Sequence, residues 1–374
     1  MSIKKSLKKF ASLALAATFG LSLTFPLTPL PTAQALDLND AVKIGATLAS
    51  ANAQKKQIEQ AIEYLNETEE GRQELYQTFR KQKGVNNDPT LNARLDKIMN
   101  DLTNAVGQVD PTVWNKPYLH FISEDKSLNA ACGMGHVMMV NVGTFSYISS
   151  DDEIAAIVGH EMGHGQKDHV AKGMKKNLNK QVIANIANTA AGGTALTSVI
   201  GGIALKQSVA HSDRNFEWEA DNLAFEYIIR TNYNPGACAA VMQKFVELLD
   251  NQGGKVSKAM SFLNPSDHPD SDKRRDNYVK KLQEYSGGKV FAQNGKITVN
   301  GKDFITVAGT SSMSGAERSY FVLGNLAAAY HNGQNNSEAK VVNGTVLLGN
   351  QPIITPVAGD EDASIIAEKL NAIK

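Results

Sequence analysis

His160-Glu161-Met162-Gly163-His164 is the segment that most limits what this chain can fold into. Histidines four residues apart lie on one face of a helix about a turn apart, so both imidazoles can reach one metal ion. Glu161 projects close by, placed to take a proton from metal-bound water rather than to bind the metal. Such a string arises by chance in a chain of this length on the order of once in a hundred. The plainer alternative is a solvated helix face with two incidental histidines; the mechanism demands a helix here, and the surrounding residues signal one. Ser150-Asp151-Asp152-Glu153 matches a capping box, in which Ser150 accepts from the Glu153 amide and Glu153 reaches back. Ile154, Ala155, Ile157 and Val158 then supply a buried stripe. Gly159, Gly163 and Gly165 cost a helix about 2–3 kcal/mol against alanine, an expense understood where another backbone or a substrate comes close.

Two histidines leave a catalytic zinc site incomplete, because it needs three protein ligands and a water. A second helical run begins at Arg214 and continues through Ile229. In it Glu217 and Asp221 are four apart and share a face, whereas Glu219 points away from Glu217.

At these residues the chain resembles the HtpX-like and prenyl-protein (CAAX) endopeptidases, a gluzincin family of zinc peptidases. The resemblance rests on His-Glu-x-x-His followed about 50 residues later by Glu217-x-x-Ala220-Asp221, and covers roughly residues 60–284. Asn129-Ala130 and the strand after them resemble the family's substrate-facing edge strand. His268-Pro269 with Arg274 resembles a later His-Pro…Arg element. The resemblance implies one Zn²⁺ held by His160, His164 and Glu217, with Glu161 as general base. It implies that Asp221 orients a ligand histidine by hydrogen bonding. It also implies that Arg274 lies near the metal and stabilises the developing oxyanion. His268 is read either as a gate occupying the fourth zinc position or as a turn histidine before proline. His169, nine residues from His160, falls off the metal face, and His120, His136, His211 and His331 are given no ligand role.

The rest of the chain sets the context. Four lysines (Lys4, Lys5, Lys8, Lys9), an apolar run from Phe10 to Leu30 and Ala33-Gln34-Ala35 together read as a signal peptide over residues 1–35. The alternative is a retained N-terminal anchor. Export to the periplasm or the extracellular space is therefore expected, possible membrane association included. With 38 basic and 38 acidic side chains the whole chain is neutral, which argues against a nucleic-acid partner. Cys132 and Cys238 are too few for a cysteine zinc module, and their pairing stays open. Residues 181–205 carry no charge and hold Gly192-Gly193 at their middle, reading as a hairpin in possible contact with a membrane more than as a span.

The expected fold class is α+β: a mainly helical peptidase domain with a small edge sheet over residues 36–284, then a small α+β module over 285–374. Asn294-Gly295, Asn300-Gly301 and Asn343-Gly344 mark hairpin turns in that module. Helices are expected over 314–330 and 362–373. The stretch His136–Val142 is expected to be a strand that holds an extended peptide by strand addition. Together these readings describe a zinc endopeptidase acting on misfolded or unassembled exported polypeptides. A chaperone-like or binding protein with a latent, His268-capped zinc site is the rival reading. Oligomeric state is not legible.

Overall fold

The computed structural model describes residues 59–186, 213–251, 270–293 and 295–374, together with 53, 55 and 56. The signal-peptide reading, most of the uncharged stretch 181–205, and His211 and His268 lie outside the described residues. Residues 62–176 and 206–374 form one unit, and residues 1–61 and 177–205 are grouped apart.

Helix α1 (Glu69–Lys83) starts at Thr68, whose hydroxyl accepts from the Gly71 amide. Helix α2 (Pro89–Val109) starts at Asp88, whose carboxylate accepts from Thr90 and Leu91, with Pro89 in the tolerant first turn. Its stripe of Leu95, Ile98, Met99, Leu102, Ala105 and Val106 is buried. A three-stranded sheet follows: β1 (Leu119–Ser123), β2 (Ala130–Gly133) and β3 (Val137–Asn141), in spatial order β1-β3-β2. β1 runs parallel to β3, and β2 antiparallel.

That order corrects one expectation. The stretch His136–Val142 is not an open strand. His136 belongs to a turn with φ 56°, Val142 opens the short helix α3 (Val142–Tyr147), and β3 between them is paired on both sides. A third strand cannot add to a ladder whose hydrogen bonds are already taken. The strands at the sheet's two margins are β1 and β2.

Helix α4 (Asp151–Gln166) carries the His-Glu-x-x-His string and is buried from Glu153 to Gly165. The capping box does not form, because Ser150 makes no side-chain cap bond. Burial explains the change: Glu153 turns inward to Lys244, 3.1 Å away, instead of reaching back to the cap amide. Asp151 pairs with Arg94, and Asp152 accepts from the Asn234 amide, so the acidic first turn still faces the positive end of the helix. Helices α5 (His169–Ile186), α6 (Arg214–Ile228), α7 (Ala237–Asn251) and α8 (Ser271–Tyr285) complete the helical part.

Beyond α8 the chain builds the same pattern twice. Strands β4 (Val290–Gln293), β5 (Lys296–Val299) and β6 (Lys302–Thr306) form one antiparallel meander, followed by α9 (Gly315–His331). Strands β7 (Ala339–Val342), β8 (Thr345–Leu348) and β9 (Gln351–Ile354) form a second, followed by α10 (Ala363–Ile373). Both second hairpins carry a register shift at the matching place, Ile297/Thr298 and Val346/Leu347. Asn300-Gly301 and Asn343-Gly344 turn with positive φ at both residues, as two-residue hairpins require. Helix α9 packs on β4, β5 and β9, and α10 on β7, β8 and β6, so each repeat covers the other's third strand. The duplication is also in the sequence, where Ile305-Thr306-Val307-Ala308-Gly309 is echoed by Ile354-Thr355-Pro356-Val357-Ala358-Gly359.

The hydrophobic core runs without a break across residue 284. Gly236 and Gly324 let α7 and α9 touch backbone to backbone, since a Cβ on Gly324 would lie 2.2 Å from the Gly236 nitrogen. Lys244 of α7 pairs with Glu153 of α4 and, at 2.9 Å, with Glu317 of α9. All three are buried, and burial together with the second carboxylate pushes Glu153 up to about 8. The C-terminal α+β part is thereby tied to the helix that carries the histidines.

Candidate metal centre

Small residues bring the two site helices together. Gly159 and Gly163 of α4 face Ala224 and Ala220 of α6, each pair four residues apart. A Cβ on Gly163 would lie 3.0 Å from the Ala220 Cα, closer than side chains ordinarily sit. Glu217, Ala220, Asp221 and Ala224 share one face of α6, so this contact carries Glu217 and Asp221 to the histidines. Gly165 has a similar reason, because a Cβ there would lie 2.6 Å from Cys132 Sγ.

His160 Nε2 and His164 Nε2 are 3.1 Å apart. Glu217 Oε1 is 3.1 Å from His164 Nε2, and Glu217 Oε2 is 3.5 Å from His160 Nε2. Donors about 2.0–2.1 Å from a tetrahedral ion stand roughly 3.3 Å from one another, so the three fit a single ion. The group is fully buried and gathers three ligand atoms within 4.8 Å. Charge supports the same fit. Glu161, Glu217 and Asp221 bring three buried carboxylates against one buried guanidinium, Arg274, an excess that a divalent cation offsets. Burial and Arg274 push the His160 imidazole down, yet Asp221 and Glu217 hold it up at about 9, drawing positive charge to this spot.

The sides of the rings facing away from the three-donor group are also occupied. His160 Nδ1 lies 2.9 Å from Asp221 Oδ1. Asp221 in turn accepts from Arg274 Nε at 2.8 Å, Arg274 Nη2 at 2.6 Å and the Tyr278 hydroxyl at 2.8 Å. Burial raises the Asp221 carboxyl, but Arg274 and His160 hold it far below the usual carboxylate range. Arg274 Nη2 is 3.1 Å from His160 Nδ1, on the side of the ring away from Glu217. The sequence reading placed Arg274 at a developing oxyanion. Its fork instead grips Asp221 behind the histidine, because a buried carboxylate with two forward-facing oxygens matches a guanidinium bidentately.

Glu161 Oε2 accepts from the Cys132 amide of β2 at 3.1 Å. Asn141 N donates to Asn129 O, so the bonded pairs of the ladder fall at 129/141, 131/139 and 133/137. The backbone groups of Ala130 and Cys132 therefore face the margin of the sheet next to Glu161. Both cysteines are buried free thiols outside any disulfide, and burial raises both. His136 is buried, bonds Lys116 O through Nδ1 and stacks on Tyr118; burial and Lys116 push it down to about 4. It takes no part in the three-donor group. His120 pairs with Asp96 and His331 stacks on Tyr285.

Sequence reasoning missed His169, which lies against the back of His164 at 2.9 Å. A left-handed turn at Asp168, φ 51°, redirects the chain there, and a Lys-Asp pair after the last helical residue was the available signal.

A buried His-His-Glu group on two crossing helices, with a glutamate between the histidines, defines a metallopeptidase centre of the His-Glu-x-x-His type. Residues 89–283 match Peptidase family M48, and the chain belongs to that family. Over 194 residues it is 23% identical to a "Beta-barrel assembly-enhancing protease" of Yersinia pestis, covering 49% of this chain and 38% of the relative. It is 26% identical over 185 residues to "Metalloprotease LoiP" of Escherichia coli, covering 49% and 69%. It is 27% identical over 121 residues to "Mitochondrial metalloendopeptidase OMA1" of Arabidopsis thaliana, covering 32% and 24%. The chain thus spans well under half the length of the beta-barrel assembly-enhancing protease it matches.

Proposed function

We propose that this protein is a zinc endopeptidase that cleaves misfolded or unassembled exported polypeptides. The observation that carries the reading is the buried His160–His164–Glu217 group with Glu161 on the same helix turn. Two imidazoles and one carboxylate are the donor set of a catalytic zinc with a position left for water. When bound, zinc acidifies that water and polarises a peptide carbonyl. Glu161 accepts the proton of the attacking water and passes it to the departing amide nitrogen. The Cys132 amide holds the Glu161 carboxylate at the Oε2 oxygen while it waits. Asp221 fixes the proton on His160 Nδ1, leaving Nε2 as the donor. Arg274 and Tyr278 keep Asp221 ionised and aimed, which makes Arg274 a positioning residue. With the Cys132 N–H given to Glu161, the backbone groups of Ala130 and the Cys132 carbonyl are those proposed to meet an extended peptide at the margin of β2, a contact that reads main chain rather than side chains.

Exported substrates and an envelope location follow from the expected signal peptide over residues 1–35 and fit relatives whose names point to barrel assembly. Among the described residues no helix is long and apolar enough to cross a membrane. His268, read from the sequence either as a gate of the fourth zinc position or as a turn histidine, is tested by His268→Ala: faster cleavage of casein than the parent supports the gate, and no cleavage by either form supports the binding-protein reading.

The test of the catalytic reading is Glu161→Gln. It should abolish casein cleavage while zinc content stays at one per chain, and undiminished cleavage would remove Glu161 from the mechanism.

A further inference from the structure

Each histidine of a neutral imidazole pair can bind metal through one nitrogen only if the other nitrogen keeps its proton and has somewhere to donate it. For His160 the acceptor is Asp221. At His164 Nδ1 an imidazole, His169, stands with its own Nδ1 2.9 Å away. His169 is fully buried, and its own Nε2 lies 3.1 Å from Glu219 Oε2. Its ring is stacked on Phe216 at 4.1 Å and 7°, which fixes the plane.

We propose that His169 and Glu219 form a two-link relay that sets the tautomer and orientation of His164 for metal binding. The inference rests on His164 being a metal ligand, as read above. Given that, every proton in the chain is assigned. His164 Nε2 faces the metal, so His164 Nδ1 carries the hydrogen and donates to His169 Nδ1. His169 Nδ1 then has no hydrogen, so His169 Nε2 carries one and donates to the Glu219 carboxylate. His169 cannot ligate the same ion, because the nitrogen it turns toward His164 meets the back of that ring.

The local backbone is built for this. Asp168 sits in the left-handed region at φ 51°, and its carboxylate is held by Asn66 at 2.8 Å and Lys116 at 3.0 Å. That turn starts α5 at His169 and brings its ring under His164. Glu219 lies two residues from Glu217, so it leaves the metal face of α6 and reaches His169 from the more exposed side, 46% accessible. One helix thereby supplies the metal-facing acid Glu217, the acid behind His160 and the acid behind His169. Glu219, set aside in the sequence as pointing away, has a reason to point there.

The experiment measures affinity for zinc by competition with a chromogenic chelator, and the visible spectrum of the cobalt form, on the purified full chain. His164→Ala is the control for the underlying reading and should lose tight binding. If His164→Ala binds as the parent does, the metal-ligand reading itself fails. With that control passed, His169→Phe, which keeps the stack on Phe216 but has no acceptor, should bind zinc about 10–100-fold more weakly and alter the cobalt bands. His169→Asn, whose Oδ1 stands where Nδ1 stood, should recover part of the affinity. Glu219→Leu should weaken binding several-fold, on the order of 3–10, and add nothing in the His169→Phe background. Parental affinity and spectrum in His169→Phe would overturn the relay. Should His169→Phe fail to fold, Glu219→Leu decides: weakened binding at an unchanged metal-free melting temperature supports the relay, and unchanged binding overturns it.

Discussion

Replacing Glu153 with glutamine should stabilise this protein, and by a margin that grows with pH. Glu153 and Glu317 are both buried against the single ammonium of Lys244. One cation offsets one carboxylate, so the folded pair retains a proton, and Glu153 is pushed up to about 8 by burial and by Glu317. In the unfolded chain the same group titrates near 4.3. Between those values the native state binds one more proton than the unfolded state, so stability falls by about 1.4 kcal/mol for each pH unit gained. From pH 5.5 to 7.5 that single proton removes about 3 kcal/mol from the parent. Glutamine copies the neutral acid in shape and carries no titration, so Glu153→Gln should escape the whole loss. Urea melts of parent and variant at pH 5.5, 6.5 and 7.5 test this through the difference between the two stabilities. Titrations away from the Glu153–Lys244–Glu317 cluster, including the histidines at the metal centre, are common to both proteins and cancel. Parallel stability profiles would refute the reasoning, because they would mean that Glu153 is ionised in the folded protein throughout.

Other perturbations probe the packing around the metal. Gly163→Ala should push α6 off α4, because its Cβ has only 3.0 Å to the Ala220 Cα. A loss of about 1–3 kcal/mol in denaturant melts is expected, with weaker zinc binding as Glu217 is carried away. Arg274→Met leaves Asp221 buried without its guanidinium and should cost about 3–5 kcal/mol, read as a lower melting temperature even in metal-free protein. Tyr278→Phe removes one bond to Asp221 and should cost about 1 kcal/mol, with cleavage of casein largely kept. Stripping metal with a chelator should abolish cleavage and lower the melting temperature, both restored by adding zinc back.

Much of the site was legible before any fold was known. His160 and His164 follow from helix periodicity, because residues four apart are neighbours on any helix that forms there, and Glu161 follows from the motif that sets it between them. Glu217 and Asp221 are legible as a pair for the same reason. The hairpin turns at Asn300-Gly301 and Asn343-Gly344 were legible because a few adjacent residues decide them. The repeat of the two meanders was present in the sequence and passed unread, since four-residue strands carry little periodicity.

What the tertiary structure decided are the partners. The order β1-β3-β2 makes β2 and not His136–Val142 the margin beside Glu161, and no local pattern states which strand lies outermost. Ser150 and Glu153 had the spacing of a capping box, but Lys244, ninety-one residues away, took Glu153 into the core. Arg274 was expected near the metal at a developing oxyanion, and its guanidinium pairs with Asp221 behind His160, because Asp221 is the buried charge it must match. His169 looked off the metal face, and is, yet the turn at Asp168 returns its ring to His164 from the other side. Spacing along the chain determined which residues could share an ion. Only the packing of distant segments decided which hydrogen bonds and buried charges those residues complete, because burial leaves no water to satisfy them and each must find its partner in three dimensions.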